Sequence, residues 1–586
     1  MAALHYRAGA LGYAIQLLAS LLDQPGCPVD VPEVLAVLYS QAGCVSDALY
    51  YAKLSTTQGA DRSVQRLFGS DFPPFNEAFA QARPKPLLGN GMMALEAGNL
   101  DRARFLVEQH LTLLPDDVEA LDIYAKIMIR SGKINEAIGL LRTVSTLAGP
   151  SATLLSRLAN CLIWSGQFIE GLACHHEAIA RAPDSLTILG SAVNDLGYFG
   201  KAEAEASGII QIWQDELTKA SPKKVRPAPK YTGATPIRLC YLCTALDSDE
   251  LKSMVGSIAQ AHDRSRFSVV AFGWGEMDHP SNQWARGAFD QWRDISSLDV
   301  TTLGAVIRGE GIHILIDADG RLAPEMRTLF VRNSAPLQLA WLNPEIASKV
   351  PGAYLMAVPG TGEAAADELA LPAGRYFMGN SAGSPPIKTP APVESARNIT
   401  FGAELIRPEL NPRLAMVWGR ILQSVPNSVL LLRDNGIFAE STNVDALISM
   451  FGNAGVAHRI EVIRDIDRAG FAASIDIALM PFPAGNILTY AEFLRNGVPV
   501  VTTSSCPAGA DMAAFLSAAG LEKSLVNADT AAYAASAIAL ALDVPALVAL
   551  RDRLPECVAG VPAFSAKGFA KMFEDAVVAA LTQSPT

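Results

Sequence analysis

The sequence predicts an α-solenoid followed by two parallel, doubly wound α/β lobes, and three observations carry that reading. Gly98, Gly132, Gly166 and Gly200 recur at intervals of 34 residues, the mark of a stacked helical repeat. A proline- and lysine-rich stretch, ASPKKVRPAPKYTGATP at 220–236, then breaks the pattern as linkers do. Beyond it, short apolar β-branched runs alternate with helical patterns, which is how a parallel sheet is written in sequence. A chain of 586 residues, 50% hydrophobic and 18% charged, is long and apolar enough to bury several cores and is not a disordered chain. Its formal charge of -12 argues against sequence-independent nucleic-acid binding, which needs a basic footprint. No apolar run approaches the roughly 18 residues of a membrane helix. The opening MAALHYRAGALGYAIQLLAS has no charged head, apolar core and cleavage site in signal-peptide order, so a cytoplasmic protein is expected.

Within the repeats, a small residue stands five positions after each of three glycines: Ala103, Ala137 and Gly171. There the second helix of a hairpin has to approach the first. Pro115, Pro150 and Pro183 fall where one hairpin ends and the next opens. Gly9 and Gly43, followed by Ala14 and Ala48, carry the same phase upstream, so about six hairpins in two blocks are expected over 1–220. Segments such as EALDIYAKIMIRSGKINEAIGLLRTV resemble tetratricopeptide repeats. Stacked hairpins form a groove suited to an extended polypeptide, with a rigid spacer or dimerisation surface as the alternative. His175 and His176 are read as core or solvated side chains, because adjacent helical residues point about 100° apart and no third ligand is near.

After the linker at 221–236, a first lobe over 237–390 is expected, with strands in IRLCYLC, FSVVAFGW, IHILIDA and LQLAWL. A second lobe over 391–586 has strands in ITFGAEL, SVLLLRD, HRIEVIRD, IDIALMPF and VPVVTT, with NPRLAMVWGRILQSV as a helix. Ligands of such sheets bind at the carboxyl ends of the strands. The eight cysteines show no framework spacing, and Cys240 and Cys243, inside a strand, point to opposite faces rather than to one metal.

The segments NPRLAMVWGRILQSVPNSVLLLRD and PFPAGNILTYAEFLRNGVPVVT, with EGIHILIDADG followed by APLQLAWL, resemble the O-linked N-acetylglucosamine transferase family. That family includes bacterial and plant SPINDLY-like members and relatives that modify flagellin. The resemblance covers nearly the whole chain. It implies tetratricopeptide repeats joined to a glycosyltransferase of the two-lobed B type (GT-B), metal-independent and inverting. A nucleotide sugar would serve as co-substrate, with no cofactor, and a polypeptide such as flagellin as acceptor. The donor stays open between a UDP-linked hexose or N-acetylhexosamine and a CMP-linked acidic sugar, and so does homo-oligomerisation.

The second lobe offers matching chemistry. Pro483-Ala484-Gly485-Asn486 forms a turn that opens a helix, and a helix start presents free N–H groups and a partial positive charge to a phosphate. Gly485 permits close approach, Asn486 and Thr489 offer hydrogen bonds, and Glu492 takes the ribose-holding role that the resemblance assigns to an aspartate. A capped core helix with a solvated glutamate is the plainer reading. The departures are equally specific: the family's active-site histidine falls on Asp249, a second histidine on Ser253, and the donor-site histidine and first threonine on Ile487 and Leu488. The phosphate-binding lysine falls on Gln423, and the Gly-Tyr-Pro-Gly loop is Asn343-Pro344-Glu345. Asp249 is either a general base toward an acceptor hydroxyl or a helix N-cap. Arg407 and Arg433, at the ends of two strands, are the candidates to replace the lysine. The departures leave a second class open, a decayed transferase serving as a protein-binding scaffold or chaperone.

Asp317 and Asp319 have Asp-x-Asp spacing, yet in a two-lobed fold of this type the phosphate is met by helix N-termini. Sugar transfer is therefore expected to survive EDTA. Loss of transfer that magnesium or manganese restores would put an ion on that pair.

Overall fold

A computed structural model describes residues 11–21, 31–41, 51, 85–96, 98–200, 204, 206–220, 236–243, 249–275, 277, 280–318, 327–331, 333–341, 354–357, 368–371, 373–379, 390–396, 398–436, 438 and 441–583. Gly9, Gly43, Ala48, most of the 221–236 linker, Asp319 and Asn343–Glu345 lie outside the described residues. The chain packs as two units, Met1–Cys161 and Leu162–Thr586. The compositional break at 221–236 is thus not where the packing divides: the last repeat helices belong to the unit that holds the sheets.

In the first unit, Leu11–Ala19 packs on Val31–Gln41, and the repeat helices run Lys85–Glu96, Leu100–Leu113, Val118–Arg130 and Ile134–Ala148. Three of the periodic glycines, Gly98, Gly132 and Gly166, are the turns inside the hairpins. Gly98 and Gly132 have φ of 76° and 73°, a left-handed conformation that ends one helix and lets the next begin two residues later. Ala103 and Ala137 are fully buried, as the close approach of paired helices requires. Stacking is fastened between neighbouring hairpins: Arg130 donates to the carbonyl of Leu95 at 2.8 Å, and Arg157 pairs with Asp122, in each case 35 positions apart, one more than the repeat.

The second unit begins with the hairpin turn at Gly166 (φ 82°) and the helices Phe168–Arg181, Leu186–Asp195 and Ile209–Lys219. His175 is buried with Nε2 2.9 Å from Asp195, and His176 is exposed, so the adjacent pair holds no common ligand. Arg327 of the first lobe explains why these helices join the sheets. It is buried, stacks over the Trp213 ring at 5.2 Å and donates to Asn194 at 2.9 Å.

The first sheet contains β1 (Ile237–Cys243), β2 (Phe267–Gly273), β3 (Gln291–Asp294), β4 (Ile314–Asp317), β5 (Leu337–Ala340), β6 (Tyr354–Ala357) and β7 (Glu368–Ala370). Its order is β3-β2-β1-β4-β5-β6-β7, all parallel. The second holds β8 (Thr400–Glu404), β9 (Val429–Arg433), β10 (Ile460–Ile463), β11 (Ile477–Leu479), β12 (Val500–Thr503) and β13 (Val526–Asn527). Its order is β10-β9-β8-β11-β12-β13, again parallel. Each is a Rossmann-like lobe whose strand order reverses once, beside β1 and beside β8. The fold is therefore the repeat array and two-lobed GT-B architecture read from the sequence. Cys240 and Cys243 are buried free thiols, and no cluster of metal-ligating side chains occurs among the described residues. Nor, among them, is any single helix long and apolar enough to cross a membrane.

Two fastenings tie the lobes together. The segment 373–379 that leads out of the first lobe is held by a buried Arg375–Asp511 pair at 2.8 Å and by Met378 N–H donating to the Ala563 carbonyl at 2.8 Å. The last helix, Ala566–Gln583, returns to the first lobe. There Glu574 accepts from Asp263 N–H at 2.9 Å and lies 2.9 Å from Nδ1 of His262, whose Nε2 is 2.7 Å from the Tyr241 hydroxyl.

Burial pushes His262 below its ordinary pKa, although the Glu574 carboxylate acts the other way. A folded-state histidine depressed in this way binds fewer protons than the unfolded chain, which titrates near 6.5, so stability falls as pH drops through about 6.5. The melting temperature is expected to decline between about pH 7.5 and 5.5. In His262→Gln that decline should be shallower, and an identical slope in the variant would remove His262 as its source.

Candidate functional site

The site lies where β8 and β11 part company. Crossovers on either side of that point run to opposite faces of the sheet, so the carboxyl ends of these strands are left uncovered. Four charged residues are delivered to this edge by four successive strands. Glu404 ends β8, Arg433 ends β9, Arg468 opens the helix Arg468–Ala473 after β10, and Glu492 lies in the helix Ile487–Arg495 after β11.

A cavity of about 140 Å³ opens here between the lobes. Ser253 and Met254, on the helix Asp249–Ala261, line it from the first lobe; Phe377 comes from the connecting segment; Arg468, Glu492 and Arg495 come from the second lobe. Glu492 is part-exposed between two guanidinium groups, 3.6 Å from Arg468 Nη1 and 3.4 Å from Arg495 Nη2. Those separations are long for charge-assisted hydrogen bonds, which leaves the carboxylate capacity to accept from a ligand. Behind it, buried Glu404 takes Arg468 Nη2 at 2.9 Å and Arg433 Nη1 at 2.8 Å.

The helix Ile487–Arg495 is built as its sequence suggests. Asn486 is the exposed N-cap, its side-chain oxygen accepting from Leu488 N–H at 3.1 Å. Gly485 packs so closely on the preceding strand end that an added Cβ would lie 3.2 Å from the Pro481 carbonyl oxygen. Thr489 is buried, and its hydroxyl makes no hydrogen bond among the described residues. Tyr490 binds this helix to the sheet, its hydroxyl donating to the carbonyls of Glu404 at 3.0 Å and Leu479 at 3.1 Å.

The remaining candidates separate. Asp249 is the first residue of its helix, one turn before cavity-lining Ser253; its side chain lies outside what is described. Arg407 stands just beyond β8, donating to Asn443 at 3.1 Å and to the Leu410 carbonyl at 3.0 Å. Its guanidinium rests against Gly166, where an added Cβ would collide with it. Among the described residues no carboxylate pairs with Arg407, and burial holds its pKa below the usual range. Arg433 is engaged by Glu404 and by the Ile466 carbonyl at 3.0 Å, so it stands behind the cavity rather than on its wall. Gln423 is a correction. It is exposed near the end of the helix Pro412–Ser424, which runs back toward the amino end of β9, and it donates to the Ala454 carbonyl at 2.7 Å. It is therefore on the edge of the sheet away from the site. Arg468 and Arg495, which line the cavity, went unread in the sequence. Only their positions in the helices after β10 and β11 hinted at them.

Comparison with known proteins places this architecture. The chain is 27% identical over 331 residues to the probable UDP-N-acetylglucosamine–peptide N-acetylglucosaminyltransferase SPINDLY of Solanum lycopersicum, which spans 53% of this chain and 35% of that protein. It is 25% identical over 357 residues to the SPINDLY protein of Arabidopsis thaliana, spanning 58% of this chain and 39% of the other. The chain thus matches little more than a third of the length of these relatives. In structure it is similar to a lysine-to-methionine mutant of Thermobaculum terrenum O-GlcNAc transferase, with a TM-score of 0.75, 24% identity, and coverage of 86% of this chain and 98% of that one. No family model matches.

Replacing Glu492 by alanine should weaken nucleotide binding by roughly 1–3 kcal/mol, the cost of losing a charged hydrogen bond. Gln423→Ala should leave it unchanged. Isothermal titration calorimetry on the two variants checks both, and unaltered affinity in a folded Glu492→Ala protein would take Glu492 out of the site.

Proposed function

We propose that this chain, which belongs to the SPINDLY-like, O-GlcNAc-transferase-type family, is a glycosyltransferase that carries a sugar from a nucleotide donor to a hydroxyl of a polypeptide. The observation that carries the reading is the inter-lobe cavity at the strand carboxyl ends, with Glu492 set between Arg468 and Arg495. Glu492 accepts from the ribose hydroxyls. The start of the helix Ile487–Arg495, with its unpartnered Thr489 hydroxyl, faces the donor phosphate, and Arg407 supplies the positive charge that the family takes from lysine. The acceptor oxygen attacks the anomeric carbon as the bond to the phosphate oxygen breaks. The nucleotide leaves with that electron pair, and Asp249 takes the hydroxyl proton. A UDP-linked N-acetylhexosamine is the first donor to try, because the plant relatives are named for one; a CMP-linked acidic sugar is the second. A cytoplasmic setting suits the buried free thiols.

The repeats present the acceptor, with flagellin as one candidate polypeptide. The cut that tests this belongs at Pro150–Ser151 rather than in the linker, because the helices from Phe168 to Lys219 pack with the lobes. Removal of residues 1–150 should leave donor binding near the full-length value while abolishing modification of a full-length acceptor, since tethering supplies effective concentration rather than chemistry. Calorimetry gives the first quantity and intact mass of co-expressed acceptor the second. Modification at the full-length rate would make the early repeats a spacer. A full-length chain that binds donor but neither hydrolyses nor transfers it would point to the scaffold reading, which the apolar Ile487 and Leu488 at the helix start favour.

A further inference from the structure

We propose that Glu404 is a positioning residue of the donor pocket, acting through Arg468; this rests on the reading of the inter-lobe cavity as the nucleotide site. Glu404 is the last residue of β8, buried, with its carboxylate shared by two guanidinium groups. Arg433 Nη1 meets Oε2 at 2.8 Å. Arg468 presents one whole edge, Nη2 to Oε1 at 2.9 Å and Nε to Oε2 at 3.2 Å. A guanidinium is planar and forked, so committing the Nε–Nη2 edge to Glu404 fixes where the third nitrogen points. That nitrogen, Nη1, lies 3.6 Å from Glu492 Oε2, and Arg468 and Glu492 both line the cavity.

Glu404 is itself rigidly held. Its N–H donates to the Tyr490 hydroxyl at 3.2 Å, and the same hydroxyl donates back to its carbonyl at 3.0 Å. Tyr490 and Glu492 share one helix, so the buried carboxylate and the cavity-facing carboxylate are tied by the backbone on one side and by Arg468 on the other. In this geometry Glu404 does two things for a ligand it never touches. It keeps the Arg468 side chain from collapsing onto Glu492 in a tight bidentate pair, which would consume the lone pairs meant for the ligand hydroxyls. It also offsets two cations at a site whose field would otherwise draw Glu492 inward.

The test is a double-mutant cycle on ligand affinity, with uridine diphosphate as probe and cytidine monophosphate in parallel, using the full chain. Glu404→Gln keeps the shape and removes the charge; it should weaken binding about tenfold or more, near 1.4 kcal/mol. Arg468→Gln should cost a similar factor, and the double variant should be no weaker than Arg468→Gln alone, since both changes break one chain of contacts. In a transfer assay the donor KM should rise while kcat holds. Glu404→Asp, which retains the charge, should recover part of the affinity, and it carries the test if Glu404→Gln does not fold. Unchanged affinity in a folded Glu404→Gln protein, or losses from the two sites that simply multiply, would overturn the positioning role. A wild-type chain that binds neither nucleotide would instead overturn the reading of the cavity.

Discussion

The reversal of strand order beside β8 is the constraint on which the site depends. Right-handed crossovers send the helices after β8 and β9 to one face of the sheet and those after β11 and β12 to the other. At the seam no helix covers the carboxyl ends, and the backbone there has no sheet partner ahead of it. Charged side chains can be accommodated at such an edge, beside the apolar Met254, Phe377 and Leu488 that also line the cavity, because it faces the opposite lobe rather than a hydrophobic core. Glu404, Arg433, Arg468 and Glu492 occupy it because four successive strands of the sheet end there.

Their arrangement also shows how a buried carboxylate is tolerated. Isolated, Glu404 would face a desolvation cost of several kcal/mol; between two guanidinium groups, with its backbone bonded to Tyr490, both oxygens are satisfied. Among the described residues no cation pairs with nearby Glu409. Burial pushes its carboxyl up to about 8, with the Ile406 N–H donating to it at 2.9 Å and acting in the opposite direction. The two glutamates, five positions apart, thus differ in their surroundings, one paired with two guanidinium groups and the other a carboxyl whose protonated form burial favours in the turn that follows β8.

Lobe-to-lobe geometry is set by contacts distant in sequence. The buried Arg375–Asp511 pair fixes the connecting segment, and the last helix reaches back across the chain to place Glu574 beside His262. Since Phe377 in that connecting segment also lines the cavity, the size of the pocket is decided by these fastenings as much as by its own walls. Gly166 has a similar double duty: its left-handed backbone turns a hairpin, and its missing Cβ leaves the room that Arg407 fills.

The repeat period, the parallel sheets and the helix start at Asn486–Thr489 were legible in the sequence because each follows from local rules. A glycine turn recurs where a hairpin must reverse, β-branched runs alternate with helices, and a capping side chain precedes a helix. What the sequence left undecided was which charges meet. Gln423 counts as a donor-binding position only because the family's phosphate-binding lysine falls on it, yet its helix carries it to the far edge of the sheet. Arg433 sits at a strand end as expected but is engaged by a glutamate 29 positions away. Arg468 and Arg495 were silent because a lone arginine in a helix after a strand carries no local signature. The packing break at Cys161–Leu162 was likewise invisible, since the Arg327–Trp213 stack that draws the last hairpins to the lobes joins residues over a hundred positions apart. Sequence determines what each segment can form on its own; only the folded chain decides which side chains share a low-dielectric space, because that depends on distances no local pattern encodes.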